Sequence, residues 1–230
     1  MSRPPFRLLA ITPPEGLVDA DLVDRWLAAG AGADTLAVLL RQPGAAPRAL
    51  LAPGGRLAAL VRRCRDRGLP LLLSVDPAAI DLALDLSSET AGLHLRGDPS
   101  PALLADLRPR VGGLLGRSCH GAPQPGHPAV DYTLLAPIFV PTTVQPGLPL
   151  GSKRPIGLAG LRAWTADPSA AVVALGGVGP STAGDCLAAG AIALAGIGVF
   201  FGPPDRVEQD VAALRAIVRP GPAHVLPPRP

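Results

Sequence analysis

Lysine, aromatic side chains and cysteine are all scarce in this sequence, and each scarcity removes a class of function. Lys153 is the only lysine among 21 basic residues, so the net charge of +3 rests on arginine and is scattered along the chain. The one dense cluster, Arg62-Arg63-Cys64-Arg65-Asp66-Arg67, reads as the solvated end of a helix and leaves no nucleic-acid footprint. Aromatics make up 3% of the residues, too few for base stacking, so Leu, Ala and Val have to fill the core. The three cysteines, Cys64, Cys119 and Cys186, have no metal-ligand spacing, and an odd number argues against a disulfide framework. No apolar run is long enough to span a bilayer. The N-terminus lacks a basic segment followed by an apolar stretch and a cleavage site. The expected protein is cytoplasmic, with no nucleic-acid or membrane partner and no signature of its oligomeric state.

What the sequence does have is hydrophobic residues, at 48%, punctuated by 27 glycines and 29 prolines. Short apolar runs without side-chain alternation, the pattern of parallel strands buried on both faces, alternate eight times with helix signals. The predicted strands are Leu8–Thr12, Thr35–Leu40, Leu71–Ser74, Ala91–Leu95, Gly113–Arg117, Tyr132–Ala136, Ala171–Val178 and Ala191–Val199. Predicted helices cover Asp19–Ala29, Leu51–Asp66, Pro77–Leu86, a segment opened by Pro99, Leu158–Thr165, Ser181–Ala189 with Ser181 as N-cap and Gly190 as stop, and Asp205–Val218. Eight such units close most naturally into a single-domain α/β fold, the (β/α)8 TIM barrel, over residues 1–218. An open doubly wound sheet is the alternative, but the first strand–helix turn has no dinucleotide fingerprint. Prolines and glycines between His120 and Asp131 leave little room for the fifth helix, which is expected to be shortened or lost. Residues 219–230 read as a Pro-rich, extended tail. The long Pro/Gly-rich loop from Pro137 to Pro155 stands at the catalytic end of the sixth strand, which favours a lid over a disordered segment.

In a barrel of this kind the C-terminal strand ends carry the site. The seventh and eighth strands break at Gly176-Gly177 and at Gly196-Ile197-Gly198, where backbone N–H groups can cradle a phosphate without a Cβ in the way. Ser118 and His120 share a parity on the fifth strand, so both can face the mouth. His120 is a candidate proton shuttle near neutral pH, or else a rim histidine that orients a loop. No third partner for a hydrolase triad is evident beside them. Arg41 ends the second strand as a candidate anion contact or an ordinary rim arginine. Thr142 and Thr143 follow the sixth strand and are further candidates for holding substrate. Asp76 and Asp98 can share a magnesium ion, or serve as N-caps before Pro77 and Pro99. His94, inside Gly92-Leu-His-Leu95, reads as a hydrogen-bonded interior histidine rather than a ligand. His127 and His224, in Pro-rich segments, are read as inert.

The order and spacing of Val38-Leu-Leu-Arg41, Gly92-Leu-His-Leu95, Gly116-Arg-Ser-Cys-His120, Asp131-Tyr132, Ala136-Pro-Ile-Phe139 and Ala174-Leu-Gly-Gly177 resemble the thiamine phosphate synthase/TenI family of (β/α)8 proteins. The resemblance runs from Leu8 to Gly198. It implies a thiazole phosphate as the small-molecule partner, its phosphate held by Gly177, Gly196, Ile197 and Gly198. Synthases of the family also take a pyrimidine methyl pyrophosphate on a Gln-x-Arg-x-Lys run. Of that run Arg41 matches, while Leu39 and Pro43 replace the other two residues. Ser74-Val75 stand where the family's Asn-Asp holds magnesium, with Asp76 displaced by one, and Asp98 roughly matches the second metal carboxylate. The lysine of the sixth loop is Gln145 here. Ionising a pyrophosphate calls for metal and cations at the leaving group. The resemblance therefore points first to the TenI branch, a thiazole tautomerase needing no cofactor, with His120 relaying a proton and Ser118 positioning the ligand. A magnesium-dependent thiamine phosphate synthase is the alternative. An inactive phosphate-ligand binder or regulator is a third reading.

Overall fold

The computed structural model describes residues 4–16, 18–123, 128–141, 154–167 and 169–218. Eight short strands, β1 (Leu8–Ile11), β2 (Leu36–Leu40), β3 (Leu71–Val75), β4 (Gly92–Leu95), β5 (Leu114–Cys119), β6 (Tyr132–Leu135), β7 (Val172–Ala174) and β8 (Ala193–Gly196), pair in sequence order. Every pairing is parallel, and β1 closes the ring on β8 through Leu8↔Leu194 to Ala10↔Gly196. The expected (β/α)8 barrel is the observed fold.

Because strand residues alternate between faces, the closed sheet makes two cores. Leu9, Ile11, Ala37, Leu39, Leu72, Tyr132, Leu134, Val173, Ala193 and Ala195 fill the interior, capped by Phe6, whose ring meets that of Tyr132 edge-on at 5.3 Å. Their neighbours, such as Leu8, Ala10, Val38 and Leu73, face outward to the helices.

The helical layer is less regular than expected. Helix α1 (Leu22–Ala28) and helix α2 (Ala58–Asp66) follow β1 and β2. Pro53-Gly54-Gly55 delays α2: a 3-10 turn at Pro47–Leu50 precedes the predicted span, whose first residues, 51–57, form turns and a bend rather than helix. After β3 the chain makes two 3-10 turns, Pro77–Leu82 and Asp85–Ser88, rather than one α-helix. Helix α3 (Pro101–Leu107) has Ser100 as its N-cap, accepting from the Leu103 N–H. Among the described residues between β5 and β6 there is no helix, in keeping with the Pro-rich text there. Helix α4 (Gly157–Thr165) and helix α5 (Pro180–Ala188) follow β6 and β7. Gly179, not Ser181, caps α5; its N–H donates to Thr182 Oγ1, and Ser181 lies inside the helix. A short helix α6 (Gly198–Phe201), which the sequence reading merged into the eighth strand, precedes the final helix α7 (Pro204–Ile217). No helix among the described residues is long and apolar enough to cross a membrane. Residues 219–230, read as a tail, lie outside the described residues.

Candidate active site

The C-terminal strand ends enclose a cavity of about 310 Å³, its floor formed by interior residues Ile11, Leu39, Leu134 and Ala195. Every strand but β1 and β6 brings a strand-end polar side chain or a bare backbone segment to this rim.

On one side stand the glycine loops. Gly176 and Gly177 adopt positive φ values of 95° and 63°. A Cβ on Gly176 would come within 2.7 Å of Pro137, and one on Gly177 within 2.7 Å of both Phe139 Cβ and the Val140 carbonyl. The β7 loop is thus pressed against the β6 loop, and the Ile138 and Phe139 N–H groups donate to the Leu175 and Gly176 carbonyls. Gly196 ends β8, and a side chain there would strike Val199 at 2.4 Å. The turn into α6 follows at once, and the first N–H groups of a helix have no intrahelical partner. Trp26 of α1 supports this loop from behind, donating Nε1–H to the Phe200 carbonyl at 3.1 Å and packing edge-on against Phe200 and Phe201.

Strand β5 supplies Ser118 and His120, and the structure gives them different partners. Ser118 Oγ lies 2.9 Å from Nε2 of the buried His94, whose Nδ1 lies 3.1 Å from Tyr132 Oη. The His94 ring also stacks on Tyr132. Burial, with Arg96 and then Arg41 adding repulsion, pushes the His94 imidazole down to about 3, so it is neutral. Burial pushes the Tyr132 phenol up, so it stays protonated. A phenol donating to Nδ1 leaves Nε2–H to donate to Ser118, and the serine then turns its own O–H toward the cavity. His94 is thus the satisfied interior histidine expected, and it also orients a rim residue.

His120 binds Asp98 twice. The His120 N–H donates to Asp98 Oδ1 at 2.8 Å, and Nδ1 lies 2.8 Å from Oδ2. Asp98 holds this pose at φ 54°, a left-handed conformation in which Asp is among the less strained residues. Behind the histidine, Trp164 of α4 donates Nε1–H to the Gly121 carbonyl at 3.0 Å.

Arg41 reaches the cavity from β2, its backbone fixed by Thr12, whose hydroxyl exchanges hydrogen bonds with the Arg41 N–H and carbonyl at 2.7 and 2.8 Å. Burial first, then the charge of Arg96, lowers the Arg41 guanidinium, with Glu15 acting in the opposite direction. Asp76 lies to one side: Oδ1 accepts from the Ala78 N–H, and Oδ2 is 3.7 Å from Arg96. The two carboxylates suggested for magnesium are thus engaged by Arg96, by N–H groups and by His120, an arrangement that does not fit an ion shared between them.

Eight of the candidate residues converge on the cavity: Arg41, Ser118, His120, Gly176, Gly177, Gly196, Ile197 and Gly198. Thr142, Thr143 and the rest of the long loop from 142 to 153 lie outside the described residues. Ser74 and Arg96, polar residues at strand ends, line the cavity as well. That position is the signal the sequence offers for them.

Residues 8–200 match the family model described as thiamine monophosphate synthase. The chain belongs to the thiamine monophosphate synthase family. Curated relatives include a thiamine-phosphate synthase of Chloroflexus aurantiacus, 34% identical over 185 residues, covering 79% of this chain and 78% of the relative. Another, from Bordetella avium, is 32% identical and covers 64% of this chain and 67% of the relative. Among solved structures, a thiamine phosphate pyrophosphorylase from Pyrococcus furiosus superposes with a TM-score of 0.65 at 23% identity, over 93% of this chain and 95% of that one. TrpF from Jonesia denitrificans superposes almost as well, at 0.61 and 19% identity over 94% and 100% of the chains, so likeness of fold alone does not single out the family.

Proposed function

We propose that the chain binds a thiazole phosphate of thiamine biosynthesis in this cavity and moves a proton on its ring, as a TenI-type thiazole tautomerase. The observation that carries this reading is the His120–Asp98 pair at the rim of the cavity that the glycine loops also line. Donation of Nδ1–H to the carboxylate fixes the tautomer, makes Nε2 the basic nitrogen and stabilises the imidazolium formed when Nε2 takes a proton. The backbone N–H groups at Gly177 and Gly196–Gly198 would anchor the phosphate, and the Ser118 hydroxyl, turned outward by His94, would hold the ring in register. No metal is required, because the proton leaves and returns within one ligand.

A second reading is condensation of a pyrimidine pyrophosphate with thiazole phosphate, a thiamine phosphate synthase. The names of the curated relatives favour it over the first. Arg41 is the residue that would meet the pyrophosphate. Magnesium would supply charge neutralisation at the leaving group, but Asp76 and Asp98 as held here do not fit it.

Two assays on the purified chain separate the readings. With pyrimidine pyrophosphate, thiazole phosphate and magnesium, the tautomerase reading expects little thiamine phosphate, and rapid formation overturns it. With the thiazole carboxylate phosphate as substrate, isomerisation is expected to fall by about 10²-fold or more in His120→Ala. Equal rates for the two proteins would take His120 out of the reaction. Binding of thiazole phosphate without either reaction would leave an inactive binder or regulator.

A further inference from the structure

Tyr132, His94 and Ser118 form a hydrogen-bonded chain that is dry at one end and open at the other. Tyr132 is fully buried, its ring edge-on to Phe6 and stacked on His94 with centroids 5.5 Å apart. It does not line the cavity, and among the described residues its Oη meets one polar partner, His94 Nδ1 at 3.1 Å. At the far end His94 Nε2 meets Ser118 Oγ at 2.9 Å, and Ser118, half-buried, lines the cavity. Such a chain can run in either direction. If Nδ1–H donated to the phenol, the phenol's own proton would be buried among apolar side chains without an acceptor, which is costly. If the phenol donates, Nε2–H donates to Ser118, and the proton left over is the serine's, at the end where a ligand can take it. The dry end thus decides the direction, and its effect is felt at the wet end.

We propose that Tyr132 is a positioning residue that sets ligand specificity. By fixing the direction of the chain it makes Ser118 a donor to the ligand, so the site selects a ligand with a hydrogen-bond acceptor there, such as an unprotonated ring nitrogen. A ligand of the same shape that presents N–H or O–H at that point leaves the serine proton without a partner and is disfavoured. Tyr132 acts without touching the ligand, through which nitrogen of His94 carries the proton. The inference rests on the reading of the mouth as a site for a phosphate-bearing ligand, and it stands whether or not a proton is transferred there.

Two measurements on the full chain test it. Nitrogen NMR of histidine-labelled protein near neutral pH is expected to show His94, assigned by its absence from His94→Gln, as the Nε2–H tautomer. In Tyr132→Phe both tautomers should be populated. Calorimetric titration then compares phosphonates bearing a pyridylmethyl group (each ring isomer), a pyrrolylmethyl group and a benzyl group, which present an acceptor, a donor and neither. The best pyridyl isomer is expected to bind about two- to tenfold more tightly than the benzyl probe, and the pyrrolyl probe no better than benzyl. That preference should vanish in Ser118→Ala and shrink in Tyr132→Phe with benzyl affinity unchanged, whereas a loss of packing would weaken all the probes alike. An Nδ1–H tautomer in wild type, or a pyrrolyl probe that binds as tightly as the best pyridyl isomer, overturns the proposal and leaves the proposed function standing. If no phosphonate binds, both fall. The expected preference in a chain that does not isomerise the thiazole carboxylate phosphate sinks the tautomerase reading alone.

Discussion

His94 shows how a single buried residue couples stability to pH. Its folded pKa of about 3 lies below the ordinary value of 6.5, so below 6.5 the unfolded chain takes up a proton that the native protein refuses. That contribution to stability is intact above pH 6.5 and is lost as pH falls toward 3, at about 1.4 kcal/mol per pH unit. Urea unfolding of wild type and His94→Gln between pH 6.5 and 5 is expected to show the shallower decline in the variant; parallel curves would mean that His94 is not the group responsible. In the tautomerase reading proposed above, Asp98 would act on the chemistry instead. In Asp98→Asn the fixed tautomer of His120 and the charge behind it are lost, so kcat for isomerisation should drop by about 10²-fold or more with KM little changed, read in steady-state kinetics. The parity of Ser118 and His120 was legible along β5, because alternation is a property of one strand. Their separate partners were not, since His94 and Asp98 arrive from β4 and its loop, and nothing within the β5 sequence specifies the neighbouring strand's register. Arg96 is legible as a strand-end residue, but its closeness to Arg41 exists only once the ring has closed.

The strands were the most legible elements, because a run such as Leu36–Leu40, buried at every position, has little other fate than a central parallel strand. Helix starts were less so. At α5 Gly179 takes the N-cap position assigned to Ser181, its own N–H donated to the Thr182 hydroxyl, and after β3 nothing local to Pro77 distinguishes 3-10 turns from an α-helix. Strand β5 carries two local dependencies. A Cβ on Gly116 would lie 2.2 Å from Tyr132 Cζ and 2.6 Å from its hydroxyl, so Gly116→Ala forces Tyr132 off His94. The expected cost is about 1–3 kcal/mol by urea unfolding, with weaker ligand binding beside it. One residue earlier, where the strand begins, Asp131 Oδ2 accepts from both the Leu115 N–H at 2.8 Å and Arg108 at 2.9 Å. Asp131→Ala should cost about 1–3 kcal/mol while leaving ligand affinity unchanged, because this clamp is remote from the mouth.

At the scale of the molecule, the eightfold alternation and the length were enough to indicate a closed barrel, and the scarcity of aromatics was answered by two aliphatic cores, one inside the sheet and one outside it. The two tryptophans of the chain are placed unevenly within this plan. Trp26 donates to the loop that follows the β8 glycines, and Trp164 donates to the residue after His120. Each half of the rim therefore has its own intrinsic fluorophore, hydrogen-bonded to the backbone of that half. In Trp164→Phe, titration with inorganic phosphate should change the emission of Trp26, and an unchanged spectrum at saturating phosphate would argue against the glycine loops as the anchor. In wild type, the difference between that signal and the total reports the histidine side, so the protein reads out the occupancy of its two rim segments without an added label.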